Sequence, residues 1–184
     1  IFGPAAIGGA INFITDIDYE NSLSLTGSNS RNNSLSGNFT YISKNGWHHN
    51  FKGGTSQVEE LSAQNDNDLD GTKNISLNYN SSKFLNDNLK LGFTGYVRKT
   101  DSGYDSWDDE NAQADNILYV LQSSLEKRKN NISDKITSHL HVHDRYYDTA
   151  VKNKYYSKSY NIKGERKIEM SQNLSLGFGS DYNY

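Results

Sequence analysis

The sequence predicts an all-β protein, an antiparallel up-and-down array of about nine strands. Three observations predict it. Most of the 184 residues fall into short runs in which polar and apolar side chains alternate, the period-two signature of strands with two unlike faces. Clusters of Asn, Asp, Gly and Ser separate those runs and supply the residues that turns need. The separating segments themselves alternate between short and long.

The strands are expected at 22–27, 34–43, 47–57, 73–80, 89–99, 115–128, 132–144, 154–167 and 174–184. After the first hairpin, Lys44-Asn45-Gly46 is a tight connection, residues 58–72 a long one, 81–88 a moderate one and 100–114 a long one. Residues 129–131 are tight again, 145–153 long and 169–173 short. Barrels of the outer membrane join their strands by short periplasmic turns and longer extracellular loops. If the first strand runs outward, every even-numbered connection must be a periplasmic turn, and all four of these are the shorter ones. A water-soluble meander has no reason to obey that parity.

The faces are legible in the same way. Leu35, Gly37, Phe39 and Tyr41 alternate with Ser36, Asn38 and Thr40; Ile136, Ser138, Leu140 and Val142 alternate with Thr137, His139, His141 and His143. Ile117, Tyr119, Leu121 and Leu125 stand against Gln122 and Ser124, and Leu174, Leu176 and Phe178 against Ser175 and Gly177. One row suits lipid and the other a wet lumen. Trp47, Tyr155, Tyr156, Tyr160, Tyr182 and Tyr184 are expected near strand ends, where amphipathic rings mark membrane interfaces.

Hydrophobic residues are 34% of the chain, and no stretch approaches the length of a transmembrane helix. A transmembrane strand shows only alternate residues to lipid, so a mean hydropathy of −0.83 is compatible with a barrel. The 13 Tyr, 15 Gly and single Pro suit such strands, and suit a secreted β-sandwich equally. The absence of Cys excludes disulfides and thiolate metal sites. A net charge of −3 with scattered lysines offers no basic field to hold nucleic acid. No nucleophile-elbow, P-loop or His-Glu-x-x-His pattern is present, so no enzyme is expected.

The opening segment is unlike the rest. Gly8 and Gly9 allow a tight turn into a short strand at Ile11 to Thr15. The run Phe2-Gly3-Pro4-Ala5-Ala6-Ile7-Gly8-Gly9-Ala10-Ile11-Asn12-Phe13-Ile14-Thr15 resembles the closing segment of the plug domain in TonB-dependent outer-membrane receptors. The resemblance implies that residues 1–16 end a plug and 17–184 begin a transmembrane β-barrel larger than nine strands, the chain being a fragment. It further implies a gated importer embedded in outer-membrane lipid. In that family a scarce large ligand binds the extracellular loops, and the periplasmic partner TonB pulls on the plug to release it.

Two constellations invite a chemical reading. His139, His141 and His143 share one strand face at steps of about 6.6 Å, and with no carboxylate or third ligand fixed by the sequence they read as lumen-facing polar residues. Residues 65–71 place Asn65, Asp66, Asn67, Asp68 and Asp70 close together, oxygen donors of the kind Ca²⁺ requires. An EF-hand is excluded, because Leu77 stands where its bidentate Glu belongs and the surroundings are strands.

Ala63-Gln64-Asn65-Asp66-Asn67-Asp68 resembles the calcium-binding loop of the cobalamin-importing members of the same family. Residues 100–107 look like the loop that follows it there, with Asp105 as the counterpart of a further ligand. The resemblance thus implies Asp66, Asp68 and Asp105 as ligands of a structural Ca²⁺. Of the family's upstream acidic ligand there is no clear match, Glu59 and Glu60 being only nearby. Tyr104 and Trp107 are the expected ligand contacts, by stacking on a large planar molecule, with cobalamin the leading ligand and an iron-siderophore complex the alternative.

A secreted or surface β-sandwich or adhesin is the rival from another class. The row Ile136, Leu140 and Val142 discriminates: a sandwich must cover it with a second sheet, whereas a barrel leaves it to lipid. A self-contained barrel of eight or ten strands is disfavoured by the plug-like start and by the odd strand count.

Overall fold

A computed structural model describes residues 20–27, 32–59, 71–104, 112–171 and 174–184. These form nine strands: β1 (Ser22–Gly27), β2 (Asn33–Ile42), β3 (His48–Glu59), β4 (Gly71–Asn86), β5 (Leu89–Tyr104), β6 (Ala112–Lys129), β7 (Ile132–Asp148), β8 (Asn153–Ser171) and β9 (Leu174–Asn183). Each pairs antiparallel with its sequence neighbour, in one sheet ordered β1 to β9. β1 and β9 are its two edges. The segment resembling a plug, residues 1–16, lies outside the described residues.

All nine expected strands are present, and the middle ones are longer than the alternation indicated. The moderate connection at 81–88 shrinks to Asp87-Asn88, because Ser81 to Phe84 stay in register with Phe93 to Lys90 until a bulge before Asn86. The tight connections have local causes. Gly46 takes φ +83°, a left-handed conformation that glycine adopts freely, and Ser43 N donates to Trp47 O at 2.8 Å across that turn. Asn130 takes φ +53° between β6 and β7, which Asn tolerates better than most residues. The even connections are 43–47, 87–88, 130–131 and 172–173; the odd ones are 28–32, 60–70, 105–111 and 149–152. Every even connection is the shorter except at the start, where 28–32 and 43–47 are equal.

Register fixes two faces, because residues directly opposite in an antiparallel pair point the same way. One carries Leu25, Leu35, Ile75, Ile117, Leu77, Val97, Tyr119, Val142, Phe51, Tyr79, Leu121 and Leu140. The other carries Asn38, Asn50, Asn78, Asn80, Thr94, Gln122, Thr137 and His139. The apolar face is the exposed one: Leu121 and Ile136 are each 57% exposed. Buried side chains sit chiefly on the polar face, where Asn50 and Thr137 are each 5% exposed. Among the described residues no second sheet lies across the Ile136, Leu140 and Val142 row.

Asn and Thr side chains satisfy one another along the polar face. Asn50 Nδ2 donates to Asn38 Oδ1 at 2.6 Å, Thr94 Oγ1 to Asn80 Oδ1 at 2.9 Å and Thr100 Oγ1 to Asn74 Oδ1 at 2.7 Å. Such cross-strand ladders let polar groups pack closely without losing hydrogen bonds.

On the apolar face charges lie mostly towards the strand ends, with Lys158 of β8 further in, opposite Val142. On the loop side Lys99 pairs with Asp101 at 2.8 Å and Lys154 with Asp144 at 3.1 Å; on the turn side Arg166 holds Asp134 through two bonds of 2.5 and 2.9 Å. Near the turn between β2 and β3, Trp47 stacks on His49 and Phe93, and His49 stacks on Tyr41 and Tyr79. Tyr156, Tyr182 and Tyr184 share this face, with Tyr160 in the middle of β8 rather than at its end. Tyr155 lies near the start of β8, as expected, but pairs with Arg145 and therefore belongs to the polar face rather than the apolar one.

Candidate functional site

The polar face opens into a hollow of about 820 Å³ at its loop end. Tyr104 at the end of β5, His143, Arg145 and Tyr147 on β7, and Asn153 and Tyr155 on β8 line it. β6 runs between β5 and β7 and presents alanines opposite the tyrosines at the strand ends there. Ala112 opposes Tyr104 and is 1% exposed; Ala114 opposes Tyr147 and is 7% exposed. Aromatic rings on the flanking strands thus stand above alanines, and the hollow is the difference in side-chain height.

Arg145 is the fixed cation of this hollow. Its Nε donates to Asn116 Oδ1 at 2.6 Å, its Nη1 donates to the Tyr147 hydroxyl at 3.0 Å, and its guanidinium stands 5.8 Å from the Tyr147 ring centre. Tyr147 meets Tyr155 edge-on with ring centres 5.9 Å apart. Neutral partners orient the guanidinium without cancelling its charge, and it makes no ion pair among the described residues. The arrangement suits a planar or anionic group.

A second, smaller hollow of about 440 Å³ lies at the loop end of β3 to β6, beside Glu59, Lys73, Asp101 and Asp115. These side chains sit on the loop side of the apolar band. Burial and the neighbouring Asp101 push the Asp115 carboxyl above the usual Asp range. Asp101 is held low, chiefly by the hydrogen bond from Lys99.

Of the residues expected to act, Tyr104 lies in the larger hollow, while Trp107 and the cation ligands Asp66, Asp68 and Asp105 lie outside the described residues. Glu59, near the expected calcium loop, ends β3. His139, His141 and His143 share the polar face, with the His139 and His141 rings 6.1 Å apart. Among the described residues no group of three His, Asp or Glu side chains comes together to hold a metal ion. Arg145 and Tyr147 were missed in the sequence because residues 145–153 read as a loop. The row Thr137, His139, His141, His143 continues through them with unbroken period two, the signal that would have found them.

The chain matches no known family model and no curated protein.

Proposed function

We propose that the chain is part of a TonB-dependent outer-membrane receptor, a gated importer of a scarce large ligand with cobalamin as its leading candidate. One observation carries the membrane reading. The sheet exposes its apolar face and crowds its polar one, the reverse of a sheet that folds against a core in water.

The dimensions of the apolar band support it. On β7 the charges Asp134 and Asp144 bound the band, about 33 Å apart along the strand at 3.3 Å per residue. A tilt of about 40° projects that to about 25 Å, the height of the apolar belt of an outer-membrane barrel. The band also runs obliquely. Its innermost loop-side charge is Lys73 on β4, Lys99 on β5, Asp144 on β7 and Lys158 on β8, with Asp115 on β6 lagging one row. Lys158 lies in the row of Val142, Tyr119, Val97 and Leu77, so between β4 and β8 the boundary descends from Lys73 to Leu77. That is about 3.3 Å per strand step of about 4.8 Å, a slope near 35°, as tilted barrel strands require.

The receptor reading adds the resemblance of residues 2–15 to the end of a plug, the parity of connection lengths, and a loop-side hollow holding Tyr104. In a membrane the edges of β1 and β9 need partners, which further strands of a larger barrel supply. An iron-siderophore complex is the alternative ligand within the same function. A calcium ion on Asp66, Asp68 and Asp105 belongs to the cobalamin reading.

The test is membrane fractionation and heat-modifiable migration of the full-length protein, followed by displacement of radiolabelled cobalamin by cyanocobalamin with and without calcium. Heat-modifiable migration in the outer-membrane fraction with saturable, calcium-dependent binding is expected. Outer-membrane location without cobalamin binding removes that ligand in favour of a siderophore, and a water-soluble protein overturns the barrel.

A further inference from the structure

The apolar face carries charge at two rims, and the rims differ in sign. Among the described residues, the loop-side strand ends present four cations on this face, Lys73, Lys99, Lys154 and Lys158, against five carboxylates, Glu59, Asp101, Asp115, Asp144 and Asp148. The turn-side strand ends present Lys83, Lys127, Lys129 and Arg166 against Asp134 alone. Arg166 already holds that carboxylate through two bonds of 2.5 and 2.9 Å. Lys83, Lys127 and Lys129 form no ion pair among the described residues, whereas on the loop rim Lys99 is tied to Asp101 and Lys154 to Asp144.

The three lysines stand close together. Lys83 lies on β4 in the row of Leu91, Leu125 and Ile136; Lys127 lies two strands on and one row nearer the turns, in the row of Leu89, Asp134 and Arg166. The loop-side boundary of the band descends by one row for every two strands, so in a tilted sheet Lys83 and Lys127 share one depth, about 12 Å apart between backbones. Lys129 follows Lys127 on β6, about 6.6 Å nearer the turn. On β5 Leu89 and Leu91 run between the two strands. Immediately towards the middle of the band, Phe93, Leu125 and Ile136 are exposed, and Phe93 stacks on Trp47.

That juxtaposition selects the chemistry of what covers it. A free anion would answer the lysines and leave the apolar side chains bare; a lipid without net charge would cover those side chains and leave three ammonium groups without a counter-charge. An amphiphile with an anionic head satisfies both.

We propose that the turn-side rim between β4 and β6 seats an anionic phospholipid of the phosphatidylglycerol class, its head group among Lys83, Lys127 and Lys129 and its acyl chains along Leu91, Leu125 and Ile136. The proposal rests on the barrel reading, in which this face meets lipid. It adds that the leaflet on the turn side is recognised by head-group charge, while the loop rim, with its own charges largely paired, is not selective in this way.

The experiment captures the full-length protein from dodecylmaltoside micelles holding equal amounts of dioleoylphosphatidylglycerol and dioleoylphosphatidylcholine, and counts the lipid retained after washing by mass spectrometry of the extract. Heat-modifiable migration is read on every sample. Phosphatidylglycerol is expected to be retained roughly tenfold over phosphatidylcholine, and Lys83→Gln and Lys127→Gln are each expected to cut its retention by about fivefold while leaving phosphatidylcholine unchanged. Lys154→Gln, on the opposite rim, is expected to retain it as wild type does. Lys129→Glu, in the exposed outermost row, replaces either glutamine variant that loses heat-modifiable migration. Equal retention of the two lipids, turn-side variants that retain phosphatidylglycerol as wild type does, an equal loss in Lys154→Gln, or displacement of the lipid by excess inorganic phosphate would each overturn this proposal with the barrel intact. A wild-type protein without heat-modifiable migration would overturn the barrel reading beneath it.

Discussion

Leu121 and Gln122 are neighbours on β6 with opposite surroundings. Leu121 stands between Gly95 and Leu140 on the apolar face; Gln122 stands between Thr94 and His139 on the polar one. Leu121 is 57% exposed, whereas Thr137, one row from Gln122 on the polar face, is 5% exposed. In a water-soluble sheet those exposures would be exchanged, since burying apolar area is the main source of stability. The difference teaches that the apolar face is the open side of this single-layer sheet and the polar face the crowded one, the asymmetry on which the membrane proposal rests.

The comparison breaks most directly by placing a charge on each face at one depth. Arg at position 121 would sit near the middle of the apolar band, where a lipid-facing arginine costs about 2–4 kcal/mol. Leu121→Arg is therefore expected to abolish or sharply reduce the heat-modifiable species, and Gln122→Arg to retain it. Equal loss in both would mean that the two faces share one environment, and the membrane assignment would fall.

A smaller effect comes from the adjacent glycines of β3. A Cβ on Gly53, on the apolar face, would meet Leu77 Cδ1 at 3.4 Å and Ser76 O at 3.5 Å, ordinary contacts. On Gly54, facing the other way, it would stand 2.9 Å from Leu35 O and 3.1 Å from Ser36 Cβ, and backbone oxygen yields little. Gly54→Ala is expected to destabilise by about 1–3 kcal/mol, an overpacking cost, while Gly53→Ala is neutral or slightly stabilising. The heat-modification midpoints of the two variants check this. Similar midpoints would show that the polar face is no more closely packed than the apolar one.

The fold was legible where one face was apolar. Strands such as 34–43 and 132–144 announced themselves because lipid-suited and polar residues alternate. Strand ends were not, since both faces are polar there and alternation vanishes. Asp101 and Ser102 read as loop, yet they pair with Lys73 and Thr72, and what holds them is the backbone ladder rather than any side-chain pattern. The same blindness hid Arg145 and Tyr147. Tyr104 was legible as an aromatic beside a long connection. Placing Tyr155 required the parity of Ser157, Ser159 and Asn161, which puts it with the polar row.

The finest test concerns the loop-side row of the apolar face, where Asp101 and Asp115 are cross-strand partners with opposite shifts. Asp115 has its folded pKa raised, so well below the ordinary carboxylate value of about 3.9 it is protonated whether folded or not and carries no penalty. As pH rises through the raised value, ionising beside Asp101 removes stability. Asp115→Asn is thus expected to gain on wild type at pH 7, the gain closing in acid. Asp101 has its folded pKa lowered by Lys99, so its contribution is present above the ordinary value and lost as pH falls through the folded one. Asp101→Asn is accordingly expected to lose at pH 7, with the loss fading in acid. Both effects are small, because this row is largely open to solvent and screened. Heat-modification midpoints across pH for the two variants read the pair, and shifts of the same sign at pH 7 would show that Lys99 does not divide these carboxylates.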